Sequence, residues 1–172
     1  MAQTYTLSAT GITLAANKCI LGVFNGSGSG RIVRVYRVWC LNNQVAAVTG
    51  VVNTIELRRT STGSGGTAIT PVKHDSSSEN FPAQVVVSSN QSVTTSSLFI
   101  RQFWSSDEPA AGTISTDEIL TIPAMGLIWD VAYNDSNVQP LVCREGEGAA
   151  LMNITSTVGI MDVFMEVTLE ST

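Results

Sequence analysis

The sequence holds a single histidine, His74. That scarcity excludes most of the chemistry a small domain performs. A Ser-His-Asp or Cys-His system needs its base held beside the nucleophile. His74 lies in the Ser-rich stretch KHDSSSEN, and no GxSxG occurs. Metal chemistry on a cupin-like β fold needs a histidine cluster, and around His74 only Asp75 and Glu79 are on offer. His74 therefore reads as a solvated loop residue. The pairs Asp107/Glu108, Asp117/Glu118 and Glu145/Glu147 supply carboxylates for glycoside hydrolysis, but they fall at predicted strand ends and turns, where acids are commonly solvated. The expectation is no enzyme: no catalytic residue, no cofactor, no metal and no small-molecule substrate.

Charge is also scarce. Charged residues make up 13% of the chain, about half the usual share of roughly 25%. Hydrophobic residues make up 44%. Two explanations are open: a membrane protein, or a protein whose surface is largely covered by partners. No apolar run approaches the roughly 20 residues that a spanning helix needs. No basic stretch followed by an apolar one opens the chain, so no secretory signal is expected. The sequons at Asn25, Asn90, Asn134 and Asn153 mean little without secretion. The covered-surface reading is favoured, with Ser, Thr, Asn and Gly filling the rest and no membrane partner.

The net charge of −5 hides an asymmetry. Through residue 105 there are eight basic residues against three acids; beyond it, Arg144 alone faces eleven acids. Either the two halves meet across subunits of a self-associating protein, or they pair within one domain. The acidic total argues against nucleic acid as a partner. Three cysteines, Cys19, Cys40 and Cys143, form no CxxC and sit in apolar contexts. They read as buried free thiols made in a reducing compartment; a disulfide between two of them stays open.

What is abundant is strand pattern. RIVRVYRVWCLN, residues 31–42, is dominated by β-branched and aromatic residues, which suit a pleated surface. Val33, Val35, Trp39 and Leu41 share one parity, and Ile32, Tyr36, Val38 and Cys40 the other. Apolar residues on both parities predict a central strand partly buried on both faces. Residues 1–16 read as two short strands about a turn at Gly11, or as an extended arm. KCILGVFN (18–25) is a strand. NGSGSG (25–30) could cradle phosphate if it opened a helix, but it opens the strand at Arg31 and reads as a hairpin loop.

Further strands are predicted over 50–60, 85–88, 97–104, 118–122, 126–133, 140–144, 149–154 and 160–169. Residues 60–83 form a long connection, with a short strand at 68–72. In 97–104, Leu98, Ile100 and Trp104 share one face, and Phe99, Arg101 and Phe103 the other. The last strand alternates most cleanly, with Met161, Val163, Met165, Val167 and Leu169 inward. About nine or ten strands at short intervals, without a convincing helix, predict an all-β antiparallel β-sandwich. At 172 residues it is one domain, jelly-roll-like and with long loops. Residues 1–16 are its arm or edge strands and residues 17–172 the sandwich.

Three stretches carry a resemblance: GSGRIVRVYRVWCLNNQ (28–44), TIELRRTSTGSGGTAITPVKHD (54–75) and QPLVCREGEGAALMNITSTVGIMDVFMEV (139–167). Together they resemble small all-β proteins of tailed bacteriophages, similar to capsid decoration, or cement, proteins. The resemblance implies a jelly-roll domain that binds the outer capsid, often as a homotrimer. Its partners would be itself and the major capsid protein, and its place the virion exterior after synthesis in the host cytoplasm. The alternative is a receptor- or glycan-binding head domain of a phage fibre, where an exposed Trp104 or Trp129 would stack on sugar rings; core tryptophans are the plainer reading. The interface candidates are Arg31, Arg34, Arg37, Arg144, Glu145 and Glu147. Gly146 and Gly148 permit a sharp turn in REGEG, and at least one of its two glutamates is expected to pair with an arginine.

Overall fold

The computed structural model describes residues 3–43, 52–105, 126–131, 138–155 and 159–172, with Trp104 and Ser105 described by backbone alone. The strand expected at 118–122, the turns around 105–113 and 133–137, and the acid pairs Asp107/Glu108 and Asp117/Glu118 lie outside the described residues.

Every regular element among the described residues is a strand. They are β1 (Gln3–Thr13), β2 (Lys18–Asn25), β3 (Arg31–Asn42), β4 (Val52–Ser64), β5 (Thr67–Ala68) and β6 (Val72–Lys73). β7 (Val85–Ser89), β8 (Ser92–Ser105), β9 (Gly126–Asp130), β10 (Leu141–Cys143), β11 (Glu147–Asn153) and β12 (Ile160–Ser171) follow. The first sheet runs β10-β3-β12-β1-β6, with β9 also paired to β3; the second runs β5-β7-β2-β11-β4-β8. β9 and β10 lie end to end along β3, opposite Arg37–Cys40 and Val33–Val35 respectively.

The pairing is nested. β1 pairs with β12, β2 with β11, β3 with β10 and β4 with β8, all antiparallel. Alternate pairs fall in opposite sheets. A long hairpin of four strand pairs rolled in this way is a jelly-roll sandwich. β5, β6 and β7 belong to the stretch between β4 and β8 and are additions to that plan. β6 extends the first sheet beside β1, and β7 with β5 extends the second beside β2. The long connection therefore laces one side of the sandwich. Tyr5 anchors it: its hydroxyl donates to the Glu79 carbonyl (2.7 Å) and its ring meets Phe81 edge-on.

The core lies between the sheets. From β12 it takes Met161, Val163, Met165, Val167 and Leu169, as the alternation predicts. Tyr5, Leu7 and Ala9 lie beside them on β1, and Leu21, Val23, Ile55, Leu57 and Leu151 face them from the second sheet. Each large apolar side chain so enclosed contributes about 1.5–3 kcal/mol.

Bulges explain where the simple parity rule fails. In β3, Val35 faces Val167 and Arg37 faces Glu166, so Tyr36 is an extra residue. The inward set switches there from Val33 and Val35 to Val38 and Cys40. The register change moves apolar residues to both parities, and β3 is a central strand with one face in the core and the other half-buried, as expected. In β8, Phe99 is the extra residue between Ile100, opposite Leu57, and Leu98, opposite Arg58. Phe99 and Ile100 both pack on the core, while Leu98 is exposed; the expected pairing of Leu98 with Ile100 on one face does not occur. In β1 the bulge lies between Ala9 and Ile12. Gly11 takes φ 66° there, and its N–H donates to Asp162 Oδ1 (2.7 Å). Residues 3–13 are one strand inside the sandwich, not two short strands about a turn or a separate arm.

The strands enclosed on both faces are β2 and β11. Three register shifts bend the far end of the β4–β8 ribbon, which folds back over them. Gln91 and Gly63 lie so close to Gly22 and Phe24 that a Cβ at Gly22 would sit 2.5 Å from Gln91 Oε1, and one at Gly63 2.5 Å from Phe24 Cβ. Beneath the ribbon, Cys19, Ala150 and Met152 form a second small cluster with Val93 and Ile154.

Candidate functional site

The outer face of the first sheet carries Arg34 and Arg37 of β3, while Arg31, which shares the parity of the core residues Val33 and Val35, sits at the start of the strand. Arg34 Nε bonds Glu170 (2.9 Å), and Arg37 bonds Asp130 (2.9 Å) and approaches Glu166 (3.6 Å). Arg31 reaches Glu79 (2.6 Å) and Ser171 Oγ (2.7 Å). The nested topology causes this. It sets an early, basic strand beside a late, acidic one, so opposite charges of the two halves meet within the chain. The charge asymmetry needs no second subunit. These are partly exposed pairs, each contributing about 0–1 kcal/mol. Beside them Trp39 stacks on Phe164, ring centres 5.4 Å apart.

At one end of the sandwich the glycine run meets the REGEG turn. Gly28 and Gly30 take positive φ of 78° and 62° and turn their N–H groups toward one point. Glu145 fills it, accepting from Gly28 N (3.1 Å) and Gly30 N (2.7 Å), with Ser29 Oγ at 3.5 Å. Those backbone donors hold its carboxyl below the ordinary glutamate range. The glycine run is an anion-binding nest, and its anion is the chain's own side chain. Nothing in the local sequence pointed to this, because the partners are more than a hundred residues apart.

Glu147 turns the other way. It bonds Arg59 Nη1 (3.0 Å) and accepts from the Arg144 N–H (3.0 Å). Arg59 also donates to the Val142 carbonyl (2.8 Å) and lies over the Phe99 ring at 5.4 Å. It ties both sheets together at that end. Arg144 itself is exposed. The structure therefore brings Glu145 and Glu147 to one end with Arg59, and leaves Arg31, Arg34 and Arg37 with other acids.

A third cluster escaped the sequence reading. Glu56 alternates with Ile55 and Leu57, so it points to the outer face of the second sheet, yet its side chain is 0% exposed. Arg58 and Arg101 both bond its carboxylate. Burial alone would raise the carboxyl, but hydrogen bonds from Arg58 and Arg101 outweigh it and hold it below the ordinary range. Both arginines thus present fixed guanidinium edges outward. Cross-strand pairs place Leu98 opposite Arg58, Arg101 opposite Glu56 and Phe103 opposite Thr54. Phe103 is 77% exposed, Val52 55% and Leu98 44%. The ELRR stretch signalled two arginines, but not that its glutamate would be enclosed between two guanidinium groups.

His74 is exposed, its Nε2 2.9 Å from Thr6 Oγ1. The described residues hold no group of three His, Cys, Asp or Glu that could take a metal. The three cysteines are free and buried, and burial pushes each thiol up to about 12. Trp129 is partly buried against the core, edge-on to Phe99; the Trp104 side chain lies outside the described residues. No helix among the described residues is long and apolar enough to cross a membrane. Compared with protein-family models, curated proteins and solved structures, the chain matches none.

Proposed function

We propose that the chain is a virion structural protein that binds the outer surface of a tailed-phage capsid and stabilises it as a homotrimer. The observation that carries this reading is the character of the surface. All nine described carboxylates are hydrogen-bonded or ion-paired within the chain, while Phe103, Val52 and Leu98 stand in solvent. Such a surface is suited to being covered by other proteins. The three stretches that resemble decoration proteins support the same reading, and they include β3, most of β4 and most of β12. The mechanism is attachment, not chemistry. Apolar burial at about 25 cal/mol per Å², repeated over several linked contacts, would oppose internal pressure.

The test is co-sedimentation of the purified protein with empty capsids of the phage that encodes it. Saturable binding to the capsid is expected; protein that stays in the supernatant beside intact capsids overturns the proposal. The fibre-head reading is favoured by one observation, the partly exposed Trp39–Phe164 stack on the first sheet. Binding on a glycan array that Trp39→Ala abolishes would support it.

A further inference from the structure

We infer that the outer face of β4 and β8 is the surface that docks on the capsid, taking a carboxylate side chain at Arg58 and Arg101 and apolar side chains at Leu98 and Phe103. This rests on the capsid-binding reading above and names its contact surface and the chemistry of the partner patch: an acidic residue flanked by apolar ones.

Two other charged clusters among the described residues are filled from within. The nest at Gly28 and Gly30 holds Glu145, and the β3 arginines hold Glu79, Asp130, Glu166 and Glu170. The β4–β8 face differs. Two guanidinium groups share one carboxylate, leaving a net positive centre. Arg58 bonds Glu56 through Nε, and 25% of its side chain stays accessible. A fixed, partly accessible guanidinium suits a carboxylate, because little side-chain freedom is lost on binding.

Along the ribbon the order is Leu98 with Arg58, then Arg101 with Glu56, then Phe103, then Val52. The row has a charged centre and apolar ends. Arginine and aromatic anchors are the side chains that dominate binding energy at protein interfaces. A second copy of the chain is the less fitting occupant, since every described carboxylate is already bonded internally. From Leu98 to Phe103 the row spans roughly 17 Å, and two strands are roughly 10 Å wide. That is a small part of the roughly 800 Å² per partner of a standard interface. Single contacts are therefore weak, and attachment at several points is needed.

The experiment compares wild type, Phe103→Ser, Arg101→Met and Arg34→Met in co-sedimentation with the empty capsids, at low and high salt. Phe103→Ser removes a ring that already stands in solvent, so it leaves folding intact. The expected result is at least a tenfold loss of capsid affinity for Phe103→Ser and Arg101→Met, none for Arg34→Met, and for Arg101→Met a weaker salt dependence than wild type. If wild type binds and both β8 variants bind equally well, this surface is wrong and the capsid reading stands. If wild type fails to bind, both fall. If light scattering shows that Phe103→Ser alters the mass of the free protein, the face is a contact between copies and the inference is overturned.

Discussion

Glu56 offers the sharpest test of how the second sheet is held together. The perturbation is Arg58→Met, Arg101→Met and the two combined. Methionine is preferred to alanine because alanine would uncover the carboxylate to water. Each arginine keeps some exposure, with 25% of the Arg58 side chain and 53% of Arg101 accessible. Loss of either one leaves Glu56 with the other, and should lower stability by about 1 kcal/mol. Loss of both leaves an enclosed carboxylate with no cation. Breaking a buried pair in this way costs about 3–5 kcal/mol; since Glu56 lies on the outer face and not between the sheets, about 3 kcal/mol is expected. Equilibrium urea unfolding measures all three.

The pH dependence supplies the sign. In wild type the folded carboxyl titrates below its unfolded value, so its contribution is present above the unfolded value and lost as pH falls through the folded one. In the double variant burial acts unopposed and raises the carboxyl, so acidification from neutral pH should recover stability relative to wild type. A double-variant loss equal to the sum of the two singles within about 0.5 kcal/mol, with no recovery in acid, would refute the reasoning.

Other consequences are simpler. Met165→Ala removes a fully enclosed side chain between the sheets and should cost about 2–5 kcal/mol in urea unfolding. Gly148→Ala would place a Cβ 2.5 Å from the Val23 carbonyl oxygen; a lower thermal midpoint is expected, by about 1–3 kcal/mol of overpacking. Glu145→Gln should speed hydrogen exchange at the Gly28 and Gly30 amides and flatten the acid limb of the stability profile, because the native carboxyl is depressed by those N–H groups and protonates only after the pH has fallen below its unfolded value. Thiols raised to about 12 by burial should be silent to a disulfide reagent at pH 8 in the native protein, and all three should react after unfolding.

Much of the fold was legible where parity is unbroken. β2 and β3 have the bounds their sequences indicate, and the alternation of β12 marks the core residues directly. What parity cannot register is an extra residue. Tyr36, Phe99 and the Thr10–Gly11 pair each shift a strand by one position, and each moves apolar side chains to the opposite face from a strict period of two. The one short strand expected at 68–72 is instead the two-residue strands β5 and β6, for another reason. They carry little pattern of their own and are strands only because the edges of β7 and β1 offer hydrogen bonds. The charge clusters were legible in composition but not in pairing. Arg34 with Glu170, Arg59 with Glu147 and the Glu145 nest all join residues 88 or more positions apart, and only the nested topology brings them together.

The most direct measurement of the proposed role is the heat-induced rupture of capsids from a phage deleted for this chain. Capsids lacking the protein should release DNA at a lower temperature than wild-type capsids, and adding the purified protein should restore the wild-type temperature. Deleted capsids as heat-stable as wild type, or a deficit that the added protein leaves unchanged, would contradict the account.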